Sequence, residues 1–384
     1  MNIGYNELSP MLPDRPSVPA GARILMLASD GHGSGGGIAQ YNVDLLAAMS
    51  TLASVGSVTV VPRLAREPLP QLPPKICYDL AGLGSVARYV LATLNRIRKG
   101  KYDAVWCAHI NLVALAYLAA RLRGVPLILA IYGIDVWKPT RSRLANRLAA
   151  RADLVVSISQ VTHERFAAWC KIQANRTVIM PNAITLGDYG EGPRAPDLVA
   201  RYELEGRPVV MTFGRLVGRD RAKGFDEILA ILPRLIEKAP RLIYIIAGSG
   251  PDSDRLAGLA KNLGVADHVR FTGFVPENRK ADYYRLSDVY AMPSRGEGFG
   301  FVILEAMACG IPAIASSVDG GREAVLGGQL GRVVDPDDPE ALESAVLAAL
   351  AEPKGVPPGL DYFEHSAFTR RLGDAFALLG MEGT

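Results

Sequence analysis

The sequence predicts an α/β protein of two doubly wound parallel domains facing each other across a cleft. Short, β-branched apolar runs alternate with amphipathic stretches along both halves of the chain. The runs are near-continuously apolar and bounded by polar, Gly or Pro residues, as strands buried on both faces must be. A Gly/Pro cluster separates the two halves, and alternating βα units demand parallel sheets covered by helices. The chain has 384 residues, 49% hydrophobic and 21% charged, which suffices for two cored domains and excludes a disordered chain.

In the first half the predicted strands are Ile24–Ala28, Val58–Val61, Ala104–Cys107, Leu127–Ile131 and Leu154–Ile158. Helical periodicity fills Ala39–Met49 and Val86–Arg98 between them. The second half repeats the scheme with Val209–Phe213, Leu242–Ala247, Val269–Thr272, Val289–Met292 and Ala313–Ser316. The linker is placed at Leu186–Pro208, where Gly187, Gly190, Gly192, Pro193, Pro196 and Pro208 cluster. Accordingly residues 1–21 form a flexible, Pro-rich leader, residues 22–190 the first domain and residues 205–355 the second. Residues 360–384 form a last helix that crosses back to the first domain.

Cys77, Cys107, Cys170 and Cys309 lie far apart, which argues against disulfides and zinc and fits a reducing cytoplasm. The N-terminal segment lacks the apolar core of a signal peptide, and no apolar stretch reaches the ~20 residues of a membrane span. The net charge of +3 conceals an asymmetry. Residues 1–185 hold 20 basic and 10 acidic side chains, and residues 186–384 hold 22 and 29. A basic first half points to an anionic partner, nucleic acid or membrane. Aromatic residues are only 7% and form no stacking motif, so no nucleic-acid partner is expected.

A glycine-rich loop, Ser29 to Gly37, follows the first strand and opens a helix. Gly31, Gly33 and Gly36 satisfy GxGxxG, but no carboxylate ends the second strand to hold a ribose. Three readings stay open. The loop is a structural turn, an NADP site through Arg63, or a loop near a phosphate or sugar, with Gly36 and Gly37 against the ligand.

The segment Glu297-Gly298-Phe299-Gly300 joins a strand to a helix carrying Glu305. The Gly298–Gly300 amides are positioned to meet a diphosphate at the strands' carboxyl ends, with the helix dipole favouring its charge. Glu305, two turns into an apolar helix, needs a partner if buried. Gly214-Arg215 ends one strand and Lys223-Gly224 follows, so cations face the same place. Gly273-Phe274-Val275 ends another strand and could border a base.

Together the Glu-x7-Glu segment, the Gly-Arg and Lys-Gly pairs, the Gly-Phe turn and the N-terminal glycine loop resemble the family 4 retaining glycosyltransferases. The resemblance covers nearly the whole chain beyond residue 21. It implies the GT-B fold, two Rossmann-like domains, with a nucleotide-sugar donor on the second domain and the acceptor on the first. By resemblance Glu305 binds the donor ribose and Glu297 a sugar hydroxyl. Arg215 and Lys223 bind the diphosphate with the Gly298, Phe299 and Gly300 segment, and Phe274 and Val275 border the base. Arg219 and Arg221, in a longer insert than usual, share the phosphate role as an alternative. His109, at the end of Ala104–Cys107, matches a histidine beside the donor sugar.

Asp335-Pro336-Asp337 matches a DxD metal motif, yet it heads the helix pattern Pro339–Ala349, where aspartate caps. Asp252 reads the same way. No metal and no cofactor are expected. The implied reaction is hexosyl transfer, of mannose or glucose type, to an acceptor hydroxyl, a lipid-linked glycan in bacterial polysaccharide or glycolipid assembly. Arg143, Arg147 and Arg151, four apart on one expected helix, suggest that the first domain meets an anionic membrane, a peripheral placement at the inner face of the plasma membrane. The competing enzyme readings are an NADP-dependent oxidoreductase using the Gly31–Gly36 loop and a GT-B-like epimerase acting on a nucleotide sugar.

Overall fold

The computed structural model describes residues 21–30, 36–65, 71–218 and 223–381. The N-terminal 20 residues, Gly31, Gly33, Arg219 and Arg221 therefore lie outside the described residues. The chain divides into two compact units, one of residues up to Ala183 plus His365–Thr384, the other Ile184–Glu364.

In the first unit the strands are β1 (Ala22–Asp30), β2 (Val55–Leu64), β3 (Ile76–Tyr78), β4 (Ala104–Cys107), β5 (Leu127–Ile131), β6 (Leu154–Ser157) and β7 (Thr177–Ile179). They form one parallel sheet in the order β3-β2-β1-β4-β5-β6-β7. Its helices are α1 (Gly37–Thr51), α2 (Val86–Lys99), α3 (Val113–Arg123), α4 (Arg143–Ala149) and α5 (Gln160–Ala167). Strands β4, β5 and β6 are buried at every residue, the reason they read as unbroken apolar runs. Strands β3 and β7 escape the sequence pattern. They are three residues long, at the sheet edges, and only partly buried.

In the second unit α6 (Pro196–Tyr202) precedes β8 (Val209–Phe213), α7 (Phe225–Lys238), β9 (Ile243–Ala247), α8 (Ser253–Asn262), β10 (Val269–Phe271) and α9 (Lys280–Arg285). Then follow β11 (Val289–Met292), α10 (Phe301–Ala308), β12 (Ala313–Ser316), α11 (Gly321–Ala324), β13 (Arg332–Val334) and α12 (Pro339–Leu350). The parallel sheet runs β10-β9-β8-β11-β12-β13. The strand order reverses between β8 and β11, the switch point of a doubly wound sheet.

Two expectations are corrected by these boundaries. The stretch read as a linker is built into the second unit. It carries α6, which buries Leu198 and Tyr202, and Arg194 pairs with Asp288 at 2.5 Å. Helix α4 ends at Ala149, so Arg151 lies beyond the helix that carries Arg143 and Arg147.

The last helix, α13 (His365–Ala377), packs in the first unit against α1. Phe368 meets Tyr41 edge-on at 5.5 Å, and Phe376 meets Trp106 at 6.2 Å. Buried aromatic pairs of this geometry contribute about 0.5–1.5 kcal/mol each beyond their area.

Candidate functional site

All strands of the second unit run parallel, so the loops leaving their carboxyl ends share one edge. Arg215 follows β8, Gly248 follows β9, Phe274 and Val275 follow β10, the glutamate loop follows β11, and Asp319 follows β12. The β8 and β9 loops touch. Leu216 N–H donates to Ser249 O at 3.0 Å, and a Cβ on Gly248 would stand 1.9 Å from Gly214 O. Only glycine permits that approach.

The glutamate loop is held by the loop beside it. Asp319 Oδ2 accepts from Ser294 Oγ at 2.7 Å and from Glu297 N–H at 2.8 Å, while Oδ1 accepts from Gly321 N–H at 2.9 Å. Gly320 N–H donates to Glu297 O at 2.9 Å, and its own Cβ, if present, would lie 2.0 Å from Gly298 O. Asp319 is fully buried, and burial pushes its carboxyl up to about 6 against those bonds.

Lys223 Nζ pairs with Glu297 Oε2. Gly224, at φ +91°, is packed so closely on Pro293 that a Cβ would stand 2.7 Å from it, which seats Lys223 beside the glutamate loop. A phosphate recruiting Lys223 must share or displace this carboxylate.

Glu305 is 7% exposed. Helix α10 starts at Phe301, so Glu305 lies about one turn in rather than two. Tyr284 donates to its Oε2 at 2.6 Å, and Lys280 reaches its Oε1 at 3.1 Å. Lys280 and Tyr284 stand four apart on α9 and so share a face. Burial works against the Lys280 charge, but Glu305 and Glu277 more than offset it and the ammonium is raised above its ordinary range. Phe213, at the end of β8, stacks on Tyr284 at 5.4 Å. A carboxylate offers about four lone-pair sites. Tyr284 and Lys280 engage one oxygen each and Tyr189 also hydrogen-bonds the carboxylate, so acceptor capacity remains for one further hydroxyl.

Phe274 is 75% exposed at the same edge, whereas Val275 is buried. Phe299 is 1% exposed, its ring against Phe363 at 5.5 Å, so only its backbone can face a ligand. Gly300, at φ +106°, caps α10 in a conformation that favours glycine.

The acidic motifs differ from the expected caps. Asp338 caps α12, accepting from Glu340 and Ala341 N–H at 3.1 and 2.9 Å. Asp335 accepts from Asp337 N–H at 2.9 Å, and Asp337 pairs with Arg295 at 2.5 Å. Asp252 makes no side-chain cap bond and pairs with Arg255 at 2.7 Å. Among the described residues no group of three His, Cys, Asp or Glu could hold a metal.

In the first unit His109 stands past β4, where Nδ1 accepts from Asn111 N–H at 3.1 Å. Burial, then Arg63, depresses the imidazole's pKa, so the ring is neutral with its proton on Nε2. Any ligand contact therefore runs through Nε2. Gly36, at φ +116°, caps α1, and Gly37 is its first residue. Asn42, fully buried, bridges Asp30 O at 3.1 Å and the Tyr132 hydroxyl at 3.0 Å. Asp135 follows β5 with Oδ2 buried and unpartnered among the described residues, and burial pushes its carboxyl to about 7.

Sequence reasoning missed Lys280, Tyr284, Asp319 and Asp135. The Asp-Gly-Gly turn after β12 and the four-residue spacing of Lys280 and Tyr284 were visible, but their partners lie 21 to 25 residues away.

The family model described as Glycosyl transferases group 1 matches residues 198–357, and that described as Glycosyltransferase Family 4 matches residues 35–187. The GDP-mannose-dependent alpha-(1-6)-phosphatidylinositol monomannoside mannosyltransferase of Mycolicibacterium smegmatis is 35% identical over 268 residues, 66% of this chain and 69% of that protein. D-inositol 3-phosphate glycosyltransferase 1 of Catenulispora acidiphila is 28% identical over 85% of both chains. The crystal structure of HepE from Anabaena, in complex with UDP and glucose, matches with a TM-score of 0.72 at 20% identity, covering 93% of this chain and 99% of its own.

Proposed function

This chain belongs to the family 4 glycosyltransferases of the GT-B fold, and from that premise we propose that it transfers a hexosyl group from a nucleoside-diphosphate sugar to an acceptor hydroxyl with retention at the anomeric carbon. The observation that carries the reading is Glu305, buried one turn into α10 at the carboxyl edge of the second sheet and tethered by Lys280 and Tyr284. That carboxylate suits a ribose hydroxyl. Arg215, Lys223 and the Gly298–Gly300 backbone suit the diphosphate, Glu297 a sugar hydroxyl, and exposed Phe274 the base. The neutral His109 imidazole would donate from Nε2 to a sugar oxygen.

In this reading the bond from the anomeric carbon to the diphosphate breaks, and the acceptor oxygen bonds to the same face. The departing diphosphate takes the acceptor's proton. Arg215 and Lys223 stabilise the charge that develops on it. Mannose from GDP-mannose is the favoured donor, because the relative at 35% identity is a GDP-mannose-dependent enzyme. The same relative and a phosphatidyl-myo-inositol mannosyltransferase at 30% identity support a lipid-linked acceptor. Among the described residues no helix is long and apolar enough to cross a membrane.

A thermal-shift panel of GDP, UDP, ADP and NADPH tests this. A ligand at a hundred times its dissociation constant stabilises by about 2.7 kcal/mol. GDP should give the largest shift. A shift with NADPH and none with any nucleoside diphosphate would overturn the reading.

A further inference from the structure

We propose that Arg295 is a positioning residue of the donor site, holding Glu297 and Lys223 in register by tying the glutamate loop to the start of α7 and to the Asp335-Pro336-Asp337 turn. Its guanidinium engages two other elements at once. Nη1 pairs with Glu227 Oε1 in the first turn of α7, and Nη2 donates to Asp337 Oδ1 at 2.5 Å and to Pro336 O at 3.0 Å. The planar fork of arginine presents donors in fixed, divergent directions, which a lysine ammonium cannot do.

The segments 223–227 and 293–297 meet at three places. Gly224 packs on Pro293, Glu227 pairs with Arg295, and Lys223 pairs with Glu297. The last of these pairs must loosen in use. A diphosphate that recruits Lys223 and a sugar hydroxyl that recruits Glu297 each draw one partner from the other. With that pair open, the Glu227–Arg295 pair and the Gly224 contact keep the two segments at one separation. A carboxylate and a cation that can part while their backbones stay fixed form a preorganised site. The role rests on the donor-site reading of Lys223 and Glu297. It adds a residue whose terminal nitrogens are both engaged by the chain itself.

Stability alone is a poor reason for this arrangement. Burial holds the Glu227 carboxyl above its ordinary range although Arg295 opposes it. Glu227 Oε2 is buried and has no hydrogen-bond partner among the described residues. A buried ion pair commonly stabilises a fold no more than an apolar pair of similar volume. The turn that receives the other arm is itself braced. Asp335 Oδ1 accepts from Asp337 N–H at 2.9 Å, which fixes the turn that presents Asp337 and Pro336 O to Arg295. The cap of α12 is left to Asp338. The acidic turn therefore has a task at the donor site that needs no metal, as the far anchor of the glutamate loop.

Calorimetric titration with GDP and with GDP-mannose, below the melting transition of each protein, tests the role. Arg295→Gln should weaken both ligands about tenfold and lower the melting temperature, because Glu227 is left without its cation. Arg295→Gln combined with Glu227→Gln removes that stranded charge. Melting should then recover while affinity stays weak. A side chain that only stabilised the fold would recover both together. Arg295→Lys keeps the Glu227 arm and should restore part of the affinity. Asp337→Asn, at the exposed end of the fork, should cost about twofold to fivefold. Parental affinity in Arg295→Gln overturns the proposal, as does affinity that returns with melting in the double variant. A parent that binds neither GDP nor GDP-mannose sinks the donor reading and this role with it, so the parent's own titration tells the two failures apart.

Discussion

The Tyr284 hydroxyl donates to Glu305 Oε2 at 2.6 Å, and the aromatic ring of Phe213 lies stacked over Tyr284 at 5.4 Å. One side chain therefore links the end of β8 to the carboxylate of α10. With Lys280 on the other oxygen, the carboxylate has its position set before any ligand arrives.

Removing that carboxylate should weaken donor binding. Glu305→Ala is expected to cost roughly 1.5–3 kcal/mol in nucleoside-diphosphate affinity, the range for a hydrogen bond to a charged group. Lys280 keeps Glu277 at 2.8 Å, so the fold should survive with a lowered melting temperature. Calorimetric titration checks this, and parental affinity in the variant would sink the ribose role.

Asp319 should act through Glu297 without touching substrate. Asp319→Asn puts an amide N–H or a single acceptor where two donors, Ser294 and Glu297 N–H, now converge on Oδ2. Loosening the loop should raise the donor KM about tenfold or more, since a buried unsatisfied group costs about 1–3 kcal/mol. Gly320→Ala should do the same by collision with Gly298 O. Steady-state kinetics with varied donor decides it; unchanged KM in both variants would rule out a positioning role.

Chelation should matter little. Arg215, Lys223 and the backbone amides supply the positive charge the leaving diphosphate needs, so turnover in EDTA is expected to stay within about twofold. The acids Asp335 and Asp337 are engaged within the chain and with Arg295. Loss of turnover in EDTA, restored by Mg²⁺ or Mn²⁺, would refute this.

Asp135 should make stability depend on pH. Its carboxyl is raised from 3.8 to about 7, chiefly by burial. The folded state then holds a proton that the unfolded state releases, and stability falls as pH rises from about 4 to 7. Asp135→Asn removes that slope. Asp44, whose carboxyl burial also raises to about 7, and Asp319 titrate in parent and variant alike, so the melting-temperature difference, variant minus parent, should grow more positive between pH 4 and pH 8. A difference that stays flat with pH would show that the carboxylate is not destabilised by burial.

Strands buried on both faces are legible in the amino-acid order alone. Ala104–Cys107, Leu127–Ile131, Val209–Phe213, Val289–Met292 and Ala313–Ser316 stand where their apolar runs predict, because two-sided burial forces an uninterrupted apolar code. The same amino-acid order also determined the glutamate loop, whose glycines answer local backbone demands such as the positive φ of Gly300. Tertiary structure alone decided which partners those residues meet. Lys280 and Tyr284 reach Glu305 from a different helix, Asp319 reaches Glu297 from the next strand's loop, and Lys223 takes Glu297 as its counter-charge. It also decided that six apolar side chains of α2, α3 and α4 face outward. Periodicity marks a helix and its apolar positions, but each helix can turn only one stripe to the core. Which stripe is buried depends on the sheet it packs against, and ion pairing depends on loops that only the folded sheet brings side by side.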